Sequence, residues 1–80
     1  MIYGVYSIRD CVAGEYLAPM LDTSDATAIR NFRHTVLTSP GVLSTHPGDF
    51  ELVHIGSFNT STAEFIAQPY TILLKGDQVK

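Results

Sequence analysis

The sequence has a single cysteine, Cys11, among 80 residues. That excludes an intrachain disulfide and a cysteine-rich zinc site, and it fits a reducing compartment. Charge is also scarce. Only 16% of the residues are Asp, Glu, Lys or Arg, and five basic residues stand against eight acidic ones, for a net charge of −3. A pI near 5.3 argues against a ligand held by charge alone, because nucleic-acid binding of that kind is driven by phosphate neutralisation. No apolar run approaches the roughly 18–20 residues that span a bilayer. No basic segment precedes an apolar one, so neither a membrane span nor a signal peptide is expected. The six glycines are scattered singly, which leaves no phosphate-cradling loop.

Apolar residues make up 45% of the chain and the mean hydropathy is +0.12. That balance reads as globular. The length permits one domain, residues 1–80, and no second core. Surface scaling gives roughly 4,800 Å² exposed, against about 12,800 Å² for the open chain, so one modest core forms with little margin. Association with a partner is a natural way to add stability.

Met1–Asp10 alternates as a strand, with Met1, Tyr3 and Val5 on one face and Ile2, Tyr6 and Ile8 on the other. Both faces are partly apolar, which suits a central strand, and Gly4 suggests a bend or close approach. Ala13-Gly14-Glu15 is a hairpin connection to a second strand, Tyr16–Leu21. Pro19 places that strand at an edge or beside a bulge. Thr23–Thr38 is the one convincing helix. Asp22, Thr23 and Ser24 can cap it, and Asp25 suits the positive end of its dipole. Ala26, Ile29, Phe32 and Val36 form its apolar stripe, with Leu37 near the edge. Ser39-Pro40-Gly41 stops it. Val42–Asp49 reads as loop and Phe50–Phe58 as a strand. Beyond the polar turn at residues 59–62, Glu64–Gln68 and Tyr70–Lys75 read as two strands parted by Pro69, and residues 76–80 as a frayed tail. The expected fold is α+β: an antiparallel sheet of four to five strands, curled or open, with one helix in the order ββ-α-ββ(β).

Chemistry-bearing residues are few. His34, His46 and His54 are separated by 12 and 8 residues, without the local pairs that announce zinc. Cys11 has no family signature around it and no base assigned to it. Asp22 and Asp25 are explained by capping, and Asp49 and Glu51 fall on alternate faces of a strand entrance. No catalytic residue, metal or cofactor is expected, and the chain is not expected to be an enzyme. Arg30, Arg33 and His34 lie within about one helical turn, and Arg9 and Lys75 end two strands. With the strand aromatics Tyr3, Tyr6, Tyr16, Tyr70 and Phe58 as stacking platforms, these can make a local surface for single strands. The plainer role for the tyrosines is to fill a small core with their hydroxyls at its rim. One helix cannot cover both faces of the sheet, so either the sheet curls or a second copy covers it.

Three stretches stand out together: Met1–Asp10, Ala28–His34 and His46–Asn59. In this order and spacing they resemble the small nonstructural protein of gokushoviruses, a microvirus group of small single-stranded DNA phages. The resemblance covers nearly the whole chain and is weakest after Tyr70. It implies a non-virion protein of the replication stage, similar in genome role to the small microvirus protein that favours single-stranded genome synthesis and packaging. It also implies the cytoplasm of an infected bacterium.

The resulting expectation is a non-enzymatic phage protein that acts in single-stranded DNA production by contacting that DNA or the replication complex. The residues expected to make contact are Arg30, Arg33, Tyr3, Tyr6, Arg9 and Lys75. The alternative is a homodimeric interaction module that binds a viral or host protein without DNA.

Overall fold

The computed structural model describes residues 1–79. In chain order the elements are β1 (Ile2–Asp10), β2 (Glu15–Tyr16), β3 (Met20–Asp22), α1 (Asp25–Thr38), the single-turn α2 (Val42–Thr45), β4 (Phe50–Asn59) and β5 (Glu64–Lys75). All strand pairs are antiparallel. The central strands are β1 and β4. Beyond β1 lie β2 and β3, and beyond β4 lies β5, so the five-stranded sheet has two edges and does not close. The architecture is α+β, as the alternation of β1 and the spacing within α1 lead one to expect.

Local differences from the sequence reading follow from proline and from bulges. The Tyr16–Leu21 stretch is two short strands, because the chain leaves the ladder through Leu17, Ala18 and Pro19. Pro69, read as a break, lies inside a continuous β5. It falls where the β4–β5 register slips between His54 and Gly56, and a bulged edge strand tolerates a residue with no N–H. Val42–Asp49 is not open loop: α2 is followed by a 3-10 turn at Pro47–Asp49. In the tail, Gly76–Gln78 forms a second 3-10 turn with Gly76 buried. Lys80 lies outside the described residues. Gly14 takes a φ of 71° in the turn after β1, which glycine adopts without strain.

Ser24 caps α1. Its hydroxyl accepts the Thr27 N–H while the Thr27 hydroxyl accepts the Ser24 N–H, a reciprocal capping box. Ala28, Phe32 and Val36, each four residues apart, form the buried stripe. Ala26 and Leu37, expected on that stripe or its edge, are exposed. The stripe packs on Tyr6 and Ile8 of β1 and Phe50 and Leu52 of β4, fringed by Ile29, Leu43, Leu73, Leu74 and Val79.

Two polar ties lock α1 to the sheet. Tyr6 is 1% exposed, and its hydroxyl donates to Asp25 Oδ1 at 2.6 Å. Burial first, and then this bond, push the phenol above its ordinary range. Its ring lies over Gly4, where a Cβ would collide with it. Asp22 of β3 accepts the Thr27 hydroxyl at 2.6 Å and the Asn31 amide at 2.8 Å. The Thr27 bond is the main cause that holds the Asp22 carboxyl below its usual range, and Arg30 adds to it. The short strand β3 and the start of α1 are thus tied by side chains to each other and to β1.

Candidate nucleic-acid interface

Tyr6, Ile8, Leu52 and Phe50 face α1, so strand alternation turns Tyr3, Val5, Ser7 and Arg9 to the opposite, open face. On β4 the bulge that leaves Ile55 without a β1 partner flips the alternation. Glu51, Val53, Gly56 and Phe58 therefore all lie on the open face, each in register with a β1 residue there. β5 adds Phe65, Ala67, Ile72 and Lys75, in register with Phe58, Gly56, Val53 and Glu51. β2 and β3 add Tyr16 beside Arg9 and Leu21 beside Val5.

The register sorts these residues into rows. At one end, Tyr3, Phe58 and Phe65 form an aromatic row across three strands. Tyr3 and Phe58 are half-buried, and Phe65 at its rim is 53% exposed. Two rows follow: Val5, Gly56 and Ala67, then Ser7, Val53 and Ile72. Val5, Ser7 and Val53 are buried without help from α1. The Ser7 hydroxyl donates to the Leu17 carbonyl at 2.7 Å, which holds the Leu17–Pro19 crossing against this face. At the other end runs Tyr16, Arg9, Glu51 and Lys75. The Arg9 guanidinium lies 5.9 Å from the Tyr16 ring centroid and 3.6 Å from the Glu51 carboxylate. Six residue steps along β1 separate Tyr3 from Arg9, about 20 Å at ~3.3 Å per step.

Charge is segregated by face. Asp10, Glu15, Asp22 and Glu64 take the alternation of the helix-bearing side. Asp25, Asp49 and Asp77 belong to α1 and the 3-10 turns. Among the described residues, Glu51 is the one acid at an open-face strand position. Two cations, Arg9 and Lys75, flank it there.

The six residues singled out from sequence do not form one surface. Tyr3, Arg9 and Lys75 share the open face. Tyr6 is buried against α1 and offers no ring for stacking, so its role is the core role. Arg30 and Arg33 are exposed on α1, with the sheet between them and Arg9. Phe65 completes the aromatic row and was not singled out. Its signal lay in the hairpin: pairing outward from the Thr60–Ala63 turn sets Asn59 opposite Glu64, and then Phe58 opposite Phe65.

A second concavity, about 280 Å³, is lined by Asp10, Val12, Val42, His46, Asp49 and Phe50. Two of its polar groups are committed locally. Asp10 Oδ1 accepts the Val12 and Ala13 N–H groups, and His46 Nδ1 pairs with the Thr45 hydroxyl. Cys11 is exposed nearby, and its N–H donates to the Asp49 carbonyl.

No curated protein and no solved structure matches this chain. A family model does, over residues 3–79, from the aromatic end of β1 to the residue after the last 3-10 turn. On that match across nearly its whole length, the chain belongs to the phage ORF5 protein family.

Proposed function

We propose that this phage protein binds single-stranded DNA on the open face of its sheet, and serves the replication complex during single-stranded genome production in the bacterial cytoplasm. The observation that carries the reading is the pairing of an aromatic row, Tyr3–Phe58–Phe65, with the Arg9 and Lys75 cations on the sheet face that α1 leaves free, one at each end of a buried middle. Stacked bases suit aromatic side chains whatever the sequence, and a few cations suffice to track the backbone. The resemblance to gokushovirus nonstructural proteins supports a single-stranded genome as the target.

Two cations on the face imply a shallow salt dependence. With about two phosphates neutralised, log K should fall with log salt at a slope of about −1.4. Fluorescence anisotropy of a labelled oligo-dT of about twelve nucleotides at several salt concentrations tests this. Micromolar binding with that slope is expected. Absence of binding at low salt overturns the reading.

A second reading has its own observation. Leu21 and Ile72 stand about half exposed on the same face, which suits a protein partner, viral or host. A partner of that kind leaves the oligo-dT titration flat.

A further inference from the structure

The two ends of the open face lie far enough apart to dictate how a strand must cross it. Tyr3, Phe58 and Phe65 hold one end, and Arg9 and Lys75 hold the other, about 20 Å away at ~3.3 Å per residue step. The stretch between them offers a nucleotide little to hold. Val5, Ser7, Val53 and Gly56 are buried, and the Ser7 hydroxyl is already bonded to the Leu17 carbonyl. Ala67 and Ile72, exposed along the β5 side, are apolar. Among the described residues no cation occupies an open-face strand position between the two rows. Rings stack on bases and cations track the phosphate backbone, so the two ends act on different parts of a ligand.

Resting on the reading of this face as a single-strand site, we infer that its ligand is a run of at least about four nucleotides laid lengthwise along β1, anchored by its bases at the aromatic row and by its phosphates at Arg9 and Lys75. A strand stacked at ~3.4 Å per nucleotide needs about six to cover about 20 Å. A more extended strand needs fewer, near the lower limit of about four for such sites. A dinucleotide reaches one end only. A strand laid crosswise, along Tyr3, Phe58 and Phe65, meets those rings within about 10 Å at ~4.8 Å between neighbouring strands and never meets a cation. The separation of rings from cations favours the lengthwise path, which alone uses both. Each end by itself is a weak site. Once one strand joins them the second contact becomes intramolecular, which raises affinity ~10²–10⁴-fold over either end alone.

Unlabelled oligo-dT from about two to about twelve nucleotides long, competed against the labelled twelve-mer, tests the path. The dissociation constant should fall at least ~100-fold between about two and about six nucleotides and then level off. Lys75→Gln should reduce that step roughly two- to fivefold, the effect of one exposed charge contact. Lys75 is exposed, so the variant keeps the fold, which circular dichroism verifies. A smooth rise of affinity in proportion to length overturns the lengthwise path and marks binding along the aromatic row alone. So does a step that Lys75→Gln leaves intact. In both cases the twelve-mer still binds, and the reading of the face as a single-strand site survives. If the twelve-mer itself does not bind, that reading falls and this inference falls with it.

Discussion

Removing one oxygen from Tyr6 should change stability by an amount that depends on pH. In Tyr6→Phe the ring stays packed on α1 and no cavity opens. The loss is the 2.6 Å bond to Asp25. Hydrogen bonds to charged groups contribute ~1.5–3 kcal/mol, and Asp25 is exposed and can regain water, so the lower end applies, about 1.5 kcal/mol. For a domain of this size that lowers Tm at pH 7 by about 6–12 °C. The phenol is held above its ordinary pKa of 10.0 in the folded protein, so its contribution is complete below pH 10 and fades as pH rises past it. The unfolded chain then sheds a proton that the folded chain keeps, at up to about 1.4 kcal/mol per pH unit. Phenylalanine has no such proton. Urea unfolding of both proteins at pH 7 and pH 11 should show a gap of about 1.5 kcal/mol that nearly closes at the higher pH. Titration of the other groups is common to both proteins and cancels. A gap that is absent at pH 7, or equal at both pH values, refutes the account of Tyr6 as a buried tie between sheet and helix.

Three further outcomes follow from the same geometry. Phe65→Ala should leave Tm nearly unchanged, because the ring is half exposed, and weaken oligo-dT binding by the ~1–3 kcal/mol of one stacked base, as anisotropy would read. Glu51→Gln removes the one carboxylate between Arg9 and Lys75 and should tighten oligo-dT binding a few-fold at low salt, an advantage that shrinks as salt screens it. Asp22 has a lowered pKa, so its contribution is present above the ordinary carboxyl pKa of 3.8 and lost as pH falls through the folded value. In acid unfolding, Asp22→Asn should therefore be less stable than wild type near neutrality and close to it at pH 2–3.

The sequence was most legible where one local rule dominated. The capping run Asp22-Thr23-Ser24 and the Ser39-Pro40-Gly41 stop bracket α1 to within two residues, and Phe32 and Val36 fall on its buried stripe as their spacing predicts, with Ala28 in the place expected for Ala26. The alternation of β1 placed Tyr3 and Tyr6 on opposite faces, and Arg9 shares the face of Tyr3. That alternation already separated the two tyrosines, but both faces of β1 are partly apolar, so it did not say which one the helix would take. Pro69 read as a break because proline leaves a ladder, whereas on a bulged edge strand it costs little. The bulge at Ile55 has no sequence signal beyond Gly56 beside it, yet it brings Phe58 onto the same face as Glu51 and Val53. The sequence places Arg30 and Arg33 on one turn of α1 but does not say which side of the sheet that turn faces, and the sheet parts them from Arg9. Among the described residues the open face carries one acid, Glu51, between two cations.

The open face itself is tested most directly by amide chemical-shift mapping of ¹⁵N-labelled protein titrated with oligo-dT. Shifts should concentrate on Tyr3, Arg9, Phe58, Phe65 and Lys75, and Arg30 and Arg33 should stay still. Shifts confined to α1, with the β4–β5 hairpin silent, would contradict the assignment of that face.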